Sequence, residues 1–278
     1  MIDWKAKLTS LLLTVSLSSV VWAAPSVQTF PSPEAAAKAL YAALQAKDVA
    51  ALNAMFGPDF KKVEATEPAE RAATRTRLTR LFKEGWSLTT TQDQHRVIRM
   101  GYEGWSFPIP LIKKGSLWQF DVALGLEEIA NRRVGRNELM AIDTANNVYR
   151  AQQLYHKQNG QYAAQLVSSP AQKNGLYWPS TGAADISPLQ QVIGDIAALT
   201  STHTKGRPWY GYYYSFHLTK DGYTFAAWPQ SYKTSGIMSF WCDQSGRLYE
   251  KDLGANGGAF LRGMDATSNL QGWNLVSQ

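Results

Sequence analysis

The largest group of side chains suited to ligand binding is aromatic and lies in the C-terminal part of the chain. Between Trp209 and Tyr249 fall 13 of the 33 Trp, Tyr and Phe residues. An apolar ring with a polar tip suits the face of a sugar or an extended peptide. The same pattern also suits a sheet core with cross-strand ring pairs, so both interpretations stay open. The candidate aromatic surface consists of Tyr212, Tyr213, Tyr214, Trp228 and Trp241.

Three aspartates near these aromatic residues, Asp221, Asp243 and Asp252, offer carboxylates for hydrolysis. Two carboxylates about 5–10 Å apart in a cleft can cleave a glycosidic bond. The alternative hypothesis is therefore a hydrolase that acts on an envelope polymer. Asp221 and Asp243 also belong to ordinary turn signals, Asp221-Gly222 and the run 243–246.

A row of cations follows one side of a predicted helix over residues 68–83. Arg77, Arg80 and Lys83 are three residues apart and form a candidate surface for anionic lipid, lipopolysaccharide or acidic glycan. A solvated helix face is the other interpretation. The modest formal net charge of +6, without a recognition motif, argues against nucleic acid as a partner.

Motifs for other chemistries are missing from the sequence. There is no G-x-S-x-G elbow, no phosphate loop and no H-E-x-x-H pair, and the four histidines are scattered. The single cysteine, Cys242, falls in a predicted strand, where we expect a buried thiol. The sequence therefore predicts no metal site and no cofactor, and it leaves enzymatic activity uncertain.

The composition and the first residues indicate an exported globular protein. The 278 residues are 45% apolar, 18% charged and 12% aromatic, which argues against a disordered chain. Lys5 and Lys7 precede an apolar stretch that ends in small residues, the pattern of a secretory signal peptide. Val21 and Ala23 suit cleavage after Ala23, and no later stretch is long enough to span a membrane. We expect a periplasmic or extracellular location.

The periodicity predicts an α+β protein in three parts after a signal peptide over residues 1–23. In residues 24–121, helices that begin at Ser32-Pro33 precede four strands of an antiparallel meander, which is NTF2-like by analogy. A long connecting helix covers residues 122–160, with Leu139 on its apolar face and a break or kink at Gly135. Residues 161–278 hold a loop-rich stretch and then an aromatic-rich antiparallel sheet, which is pilin-like by analogy.

Several short motifs resemble a family of exported bacterial proteins known only as a domain of unknown function. They are Trp228-Pro229, the run Ser235–Phe240 and the run Tyr249–Gly254, which read W-P, S-G-I-M-S-F and Y-E-K-D-L-G. The resemblance covers about residues 80–262 and includes an earlier Trp178-Pro179. It implies export and a folded protein, and it supplies no activity and no site residues.

The favoured hypothesis is a non-catalytic binding or cell-envelope accessory module. Its partner would be an envelope protein or a glycan, engaged by the aromatic sheet or by a groove between the two halves.

Overall fold

The computed structural model describes residues 27–64, 67–182, 185–193, 208–220, 222–265 and 267–276. The expected signal peptide lies outside these residues. The chain divides into two compact units, the first ending at Ala123 and the second beginning at Leu124. Both units contain helices and antiparallel strands, which confirms the predicted α+β class.

The first helix of the first unit, α1, spans Pro33–Ala46 and begins where the sequence predicts. The Ser32 hydroxyl accepts a 3.1 Å hydrogen bond from the Ala35 amide, and Pro33 occupies the first helical position. Both features are typical of helix starts, since proline lacks the amide hydrogen that has no helical partner there. Lys47 ends the helix in a left-handed conformation, with φ of 54°.

Among the described residues of this unit, three further α-helices, a short 3-10 helix (Gly57–Asp59) and a sheet follow. The helices are α2 (Val49–Phe56), α3 (Phe60–Val63) and α4 (Pro68–Glu84). The strands are β1 (Trp86–Thr90), β2 (Arg96–Met100), β3 (Trp105–Ser106), β4 (Leu111–Lys114) and β5 (Leu117–Phe120). The sheet order is β1-β2-β4-β5, with β3 also paired to β2. Pro108 and Pro110 divide the predicted third strand into two, because proline cannot donate a ladder hydrogen bond.

The second unit is built on the long helix α5, which spans Val122–Asn159 without a break at Gly135. The predicted end before Gly160 is confirmed. Its core-facing side carries small and apolar residues, with Ala141, Ala145 and Val148 fully buried.

The prediction for Leu139 was wrong, because this side chain is 64% exposed. Leu139 precedes Ala141 by two residues, or about 200° around the helix, and so faces away from the core.

After α5 come two short parallel strands, β6 (Gln165–Val167) and β7 (Gly175–Tyr177), and the helix α6 (Pro188–Ile193). The aromatic sheet follows as β8 (Tyr212–Leu218), β9 (Tyr223–Pro229), β10 (Ser239–Asp243) and β11 (Leu248–Lys251). The helix α7 (Gly257–Arg262) and the strand β12 (Asn274–Leu275) end the described chain. The sheet order β12-β11-β10-β9-β8 confirms the predicted antiparallel meander.

Both faces of this sheet are packed against other parts of the unit. Residues alternate in direction along a strand, so Phe240 and Cys242 join the apolar cluster that includes α5, whereas Trp241 faces the other way. The cluster on that second face includes Leu261 and Met264, from α7 and the segment after it. The aromatic sheet is therefore the middle layer of its unit.

The segment 231–238, where the sequence predicted the start of a strand, instead forms a turn held by α5. Asn137 donates from Nδ2 to the Ser235 carbonyl at 2.8 Å. The Glu138 carboxylate accepts from the amides of Ile237 and Met238 at 2.9 and 3.0 Å. These bonds use the backbone groups of the turn, so the β10 ladder begins only at Ser239.

Two glycines of this unit should respond in opposite directions to replacement by alanine. At Gly236 a Cβ would lie 2.6 Å from Cε2 of Tyr212, and this overlap should destabilise the protein by about 1–3 kcal/mol. At Gly135 a Cβ meets open space inside a helix, so alanine should stabilise it by about 0.5–1 kcal/mol. Urea unfolding of Gly236→Ala and Gly135→Ala measures both. Equal effects of the two changes would contradict the described packing.

Candidate functional site

The five candidate aromatic residues lie on both faces of the sheet and do not form one surface. Tyr212 and Tyr214 belong to the face that packs on α5, whereas Trp228 and Trp241 belong to the opposite cluster. Tyr213 pairs with Trp228, with ring centroids 6.1 Å apart. Tyr212 is 0% exposed and Trp241 is 2% exposed. The expected exposed aromatic surface is corrected at these two residues, because the period of two sends them into two different packed layers.

Burial also keeps the polar ends of these side chains neutral. It raises the pKa of Tyr212 and of Tyr214 far above the ordinary value for tyrosine. It likewise raises the pKa of the Cys242 thiol to about 12. The expectation of a buried Cys242 is confirmed. A neutral, enclosed thiol is neither a nucleophile nor accessible for a disulfide with a second chain.

The remaining accessible aromatic residue pair, Tyr213 and Trp228, is half-buried and partly covered. The Arg262 guanidinium lies 5.5 Å from the centre of the Trp228 ring. The backbone of Gly258 packs against the indole, since a Cβ there would lie 2.4 Å from Nε1. This part of the sheet is therefore occupied by α7.

The three candidate cations on α4 are all exposed, but two of them already have partners inside the first unit. Arg77 lies over the Trp105 ring, 5.2 Å from its centre, and Arg80 forms an ion pair with Glu84. Lys83 is the remaining member of the row. Whether this row meets an anionic surface stays a prediction.

Two of the three candidate carboxylates lie at opposite ends of the β10–β11 hairpin. Asp243 ends β10, and Asp252 follows β11, whose last residue Lys251 pairs with Ser239. Four residues along a strand separate the two ends by roughly 14 Å, which exceeds the spacing of a glycosidase pair. Each is engaged locally: Asp243 accepts from the Ser245 amide at 2.8 Å and Asp252 from Tyr232 at 2.9 Å. Asp221 lies outside the described residues.

A cavity of about 650 Å³ opens in the loop-rich part of the second unit, between β6 and α6. Its wall is largely apolar, with one aromatic side and several small polar groups. The lining residues are Val167, Ser168, Ser169, Pro170, Ala171, Gln172, Lys173, Tyr177, Trp178, Pro179, Thr181 and Asp185.

The loop that forms one wall of this cavity is held by hydrogen bonds from Asn174. Its Oδ1 atom accepts from the Ser169 amide at 2.9 Å and from Nε2 of Gln165 at 2.8 Å. The Gly175 amide donates to the Ser168 hydroxyl at 2.9 Å. No larger residue fits at Gly175, because a Cβ there would lie 2.6 Å from the Ser168 nitrogen. These bonds hold the loop in one conformation.

The helix α5 anchors the same loop from beneath. The buried side chain of Gln152 donates to the Ala163 carbonyl at 3.1 Å and accepts from its amide at 2.9 Å. The Tyr155 hydroxyl donates to the Lys173 carbonyl at 2.9 Å. Buried polar groups of this kind are costly to leave unpaired, so they place the loop in a defined position on the helix.

A second cavity of about 520 Å³ adjoins the first and shares three lining residues with it, Lys173, Trp178 and Asp185. The rest of its lining is mainly amide side chains: Gln158, Asn159 and Gln191, together with Ile186. The two cavities therefore adjoin as a mainly apolar lobe and a mainly polar lobe, with the side chains of Lys173, Trp178 and Asp185 between them. We call this the two-lobed cavity.

The carboxylate of Asp185 is the electrostatic centre of the two-lobed cavity. Lys173 forms an ion pair with it, Thr181 donates to Oδ2 at 2.8 Å, and Nε1 of Trp178 donates to Oδ1 at 3.1 Å. The bond from Lys173, with help from Thr181, lowers the pKa of Asp185 to about 2. Hydrogen bonds to the charged form favour ionisation, so this carboxylate holds the site together rather than accepting protons near neutral pH.

The sequence pattern predicts a loop-rich stretch here, and none of its residues is among the predicted site residues. The available signals were Asn174-Gly175, which marks a tight turn, and Trp178-Pro179, an aromatic residue outside the predicted strands. The ion pair between Lys173 and Asp185 joins residues 12 positions apart across a turn, which no local pattern indicates.

Two other features, a cluster of metal ligands and a membrane-spanning helix, are absent from the described residues. Within that part of the chain, no three His, Cys, Asp or Glu side chains are placed to hold a metal ion. No helix among the same residues has the length and apolar character needed to cross a membrane.

Comparison with known proteins identifies a family model that matches two segments, residues 27–221 and 217–276. The family is described as "Protein of unknown function (DUF2950)". The two matches overlap at residues 217–221, which include the last two residues of β8. No curated protein and no solved structure matches the chain.

The lowered pKa of Asp185 predicts how its contribution to stability depends on pH. An unfolded aspartate titrates near pH 3.9, so the folded carboxylate stabilises the protein above about pH 4. This contribution should be lost as the pH falls from about 4 toward 2. The melting temperatures of the wild type and Asp185→Asn, measured from pH 7 to pH 2, should therefore differ at neutral pH and converge in acid. A difference that stays constant down to pH 2 would contradict the described hydrogen bonds.

Proposed function

The chain belongs to the DUF2950 family of proteins of unknown function, and we propose that it is a non-catalytic binding module of the cell envelope. Its ligand site is the two-lobed cavity, and its ligand is a glycan of the envelope. The observation that carries the proposal is the preformed cavity with its apolar and polar lobes.

The size and lining of the cavity are those of a small-molecule site. Such sites usually measure about 300–1,000 Å³ and combine an apolar or aromatic wall with a few placed polar groups. Here the apolar lobe measures about 650 Å³ and has Tyr177 and Trp178 in its wall. The polar lobe presents the amides of Gln158, Asn159 and Gln191.

A sugar matches these two lobes better than a purely apolar ligand does. A sugar ring has an apolar face, which packs on aromatic rings and prolines, and a rim of hydroxyls, which bind amides. Pro170 and Pro179 extend the apolar wall beside the aromatic residues. The second lobe supplies amide groups next to this wall, since both lobes share Lys173, Trp178 and Asp185.

Binding is favoured over carboxylate-based hydrolysis by the way the carboxylates are used. Both oxygens of Asp185 accept hydrogen bonds from fixed neighbours, and its lowered pKa leaves it ionised over the working pH range. A general acid needs a pKa close to the working pH. Asp243 and Asp252 are too far apart along their hairpin to act as a pair.

Filling the apolar lobe should abolish glycan binding without unfolding the protein. Ala171 is an exposed lining residue, and Ala171→Trp would place a large ring in the space that the sugar requires. Isothermal titration with soluble, muramidase-released peptidoglycan fragments should show binding to the wild type and at least about a tenfold loss for Ala171→Trp.

Two control variants make this titration decisive. Ala171→Ser, at the same position, and Phe260→Ala, an exposed aromatic residue on α7, should bind like the wild type. If the wild type fails to bind any fragment, or if Phe260→Ala loses binding as strongly as Ala171→Trp, the proposed site is wrong.

We also propose that the protein is exported, because the residues from Lys5 to Ala23 have the three regions of a signal peptide. The mature protein recovered from the periplasm or medium should begin at Ala24. Ala23→Leu should block cleavage there, since signal peptidase requires a small residue before the cut. Mass spectrometry of the fractionated protein distinguishes the two forms, with Ser19→Ala as the control. An unprocessed wild-type protein in the cytoplasm would contradict export.

A further inference from the structure

We propose that the ligand of the two-lobed cavity carries a carboxylate, and that this carboxylate binds Lys173 in competition with Asp185. The inference rests on the binding function proposed above and names its ligand class, a sugar with an acidic substituent. It follows from the different hydrogen bonds of the two partners in this ion pair: Asp185 accepts from several neighbours, whereas Lys173 has donors to spare.

The spare hydrogen-bonding capacity of this ion pair belongs to the lysine. An ammonium group has three donors, and one of them is used by Asp185. The Lys173 side chain is 61% exposed, whereas that of Asp185 is 20% exposed. Asp185 also accepts from Thr181 and Trp178, which would keep it satisfied if Lys173 turned away. An incoming anion therefore finds available donors, whereas an incoming cation meets a carboxylate that is already enclosed.

The Lys173 side chain can move while its backbone stays fixed. The carbonyl of Lys173 accepts from the buried Tyr155 of α5, so the Cα position is tied to the core. The ammonium lies 5.4 Å from the centre of the Trp178 ring, at the division between the two lobes. A ligand that draws this ammonium toward itself uncovers part of the Trp178 ring. One movement of the lysine would therefore give the ligand both an ion pair with the ammonium and the uncovered face of the Trp178 ring.

The charge of the lining favours a ligand with one anionic group. Among the described lining residues of both lobes, the charged side chains are Lys173 and Asp185, and the remainder are amides, hydroxyls and apolar groups. The positive charge of Lys173 and the negative charge of Asp185 cancel, so the lining has no net charge. A neutral sugar would leave the spare donors of Lys173 in water, whereas a carboxylate on the ring would use them.

Two disaccharides that differ in one carboxylate test this inference. N-Acetylglucosaminyl-N-acetylmuramic acid carries a lactyl carboxylate, and N,N′-diacetylchitobiose is the matched neutral sugar. Isothermal titration of the wild type should show at least about tenfold tighter binding of the acidic disaccharide, the size expected for a charged hydrogen bond in a partly enclosed site.

Variants of the ion pair should then change this preference in opposite directions. Lys173→Gln should remove the preference for the acidic disaccharide, and Lys173→Arg should keep most of it. Asp185→Asn should raise the affinity for the acidic disaccharide several-fold, because the internal competitor is gone while the Asn oxygen can accept from Trp178 and its amide nitrogen can donate to the Thr181 hydroxyl. Arg262→Gln, on α7, is the control for loss of a positive charge elsewhere. Circular dichroism of each variant confirms that it is folded.

The outcomes separate this inference from the function on which it rests. Equal binding of the two disaccharides by the wild type, or weaker binding of the acidic one by Asp185→Asn, overturns the role of Lys173 and leaves glycan binding standing. Binding of neither disaccharide by a folded wild-type protein overturns both proposals. If Asp185→Asn does not fold, the comparison of Lys173→Gln with Lys173→Arg decides alone: an equal loss of the acidic preference in both overturns the inference.

Discussion

The burial of both faces of the C-terminal sheet is the constraint on which the rest of this unit depends. One face packs against the small residues of α5, and the other packs against Leu261, Met264 and their neighbours. Strand residues alternate in direction, so a run of consecutive tyrosines must enter both layers. A sheet used in this way has no open face for a ligand. The binding site that we propose for the unit is accordingly in its loops, at the two-lobed cavity.

The long helix sets the position of those loops through polar contacts as well as apolar ones. Gln152 and Tyr155 bind backbone groups at residues 163 and 173, and Asn137 and Glu138 bind backbone groups of the turn 231–238. A backbone group that is removed from water and left unpaired costs about 1–3 kcal/mol. Each of these side chains thus selects one position for its loop. Because all of them project from one continuous helix, the cavity wall and the turn before β10 have a common scaffold.

The sequence predicted the features that depend on local pattern. Ser32-Pro33 marks the start of α1, Asn159-Gly160 marks the end of α5, and the alternation after Tyr212 indicates the aromatic sheet. The features it missed depend on contacts between distant segments. Helical spacing alone predicts Leu139 as a core residue. The sheet, however, packs on the side of the helix that carries Ala141, and Leu139 faces away from it. The cavity was missed because its walls are brought together by bonds such as that from Tyr155 to Lys173, 18 residues apart.

The polar contacts of this unit divide into fixed and exchangeable ones, and the division follows their exposure. Glu138 and Gln152 lie among packed residues, where an exchange of partners would leave a buried group unpaired. The ion pair of Lys173 is different, because the lysine side chain is largely exposed and water can replace it as a partner of Asp185. Asp185 keeps its bonds from Thr181 and Trp178 when Lys173 changes partner, and Asn174 and Tyr155 still hold the loop in place. The position of this ion pair at the junction of the two lobes fits the exchange of partners that we propose for a charged ligand.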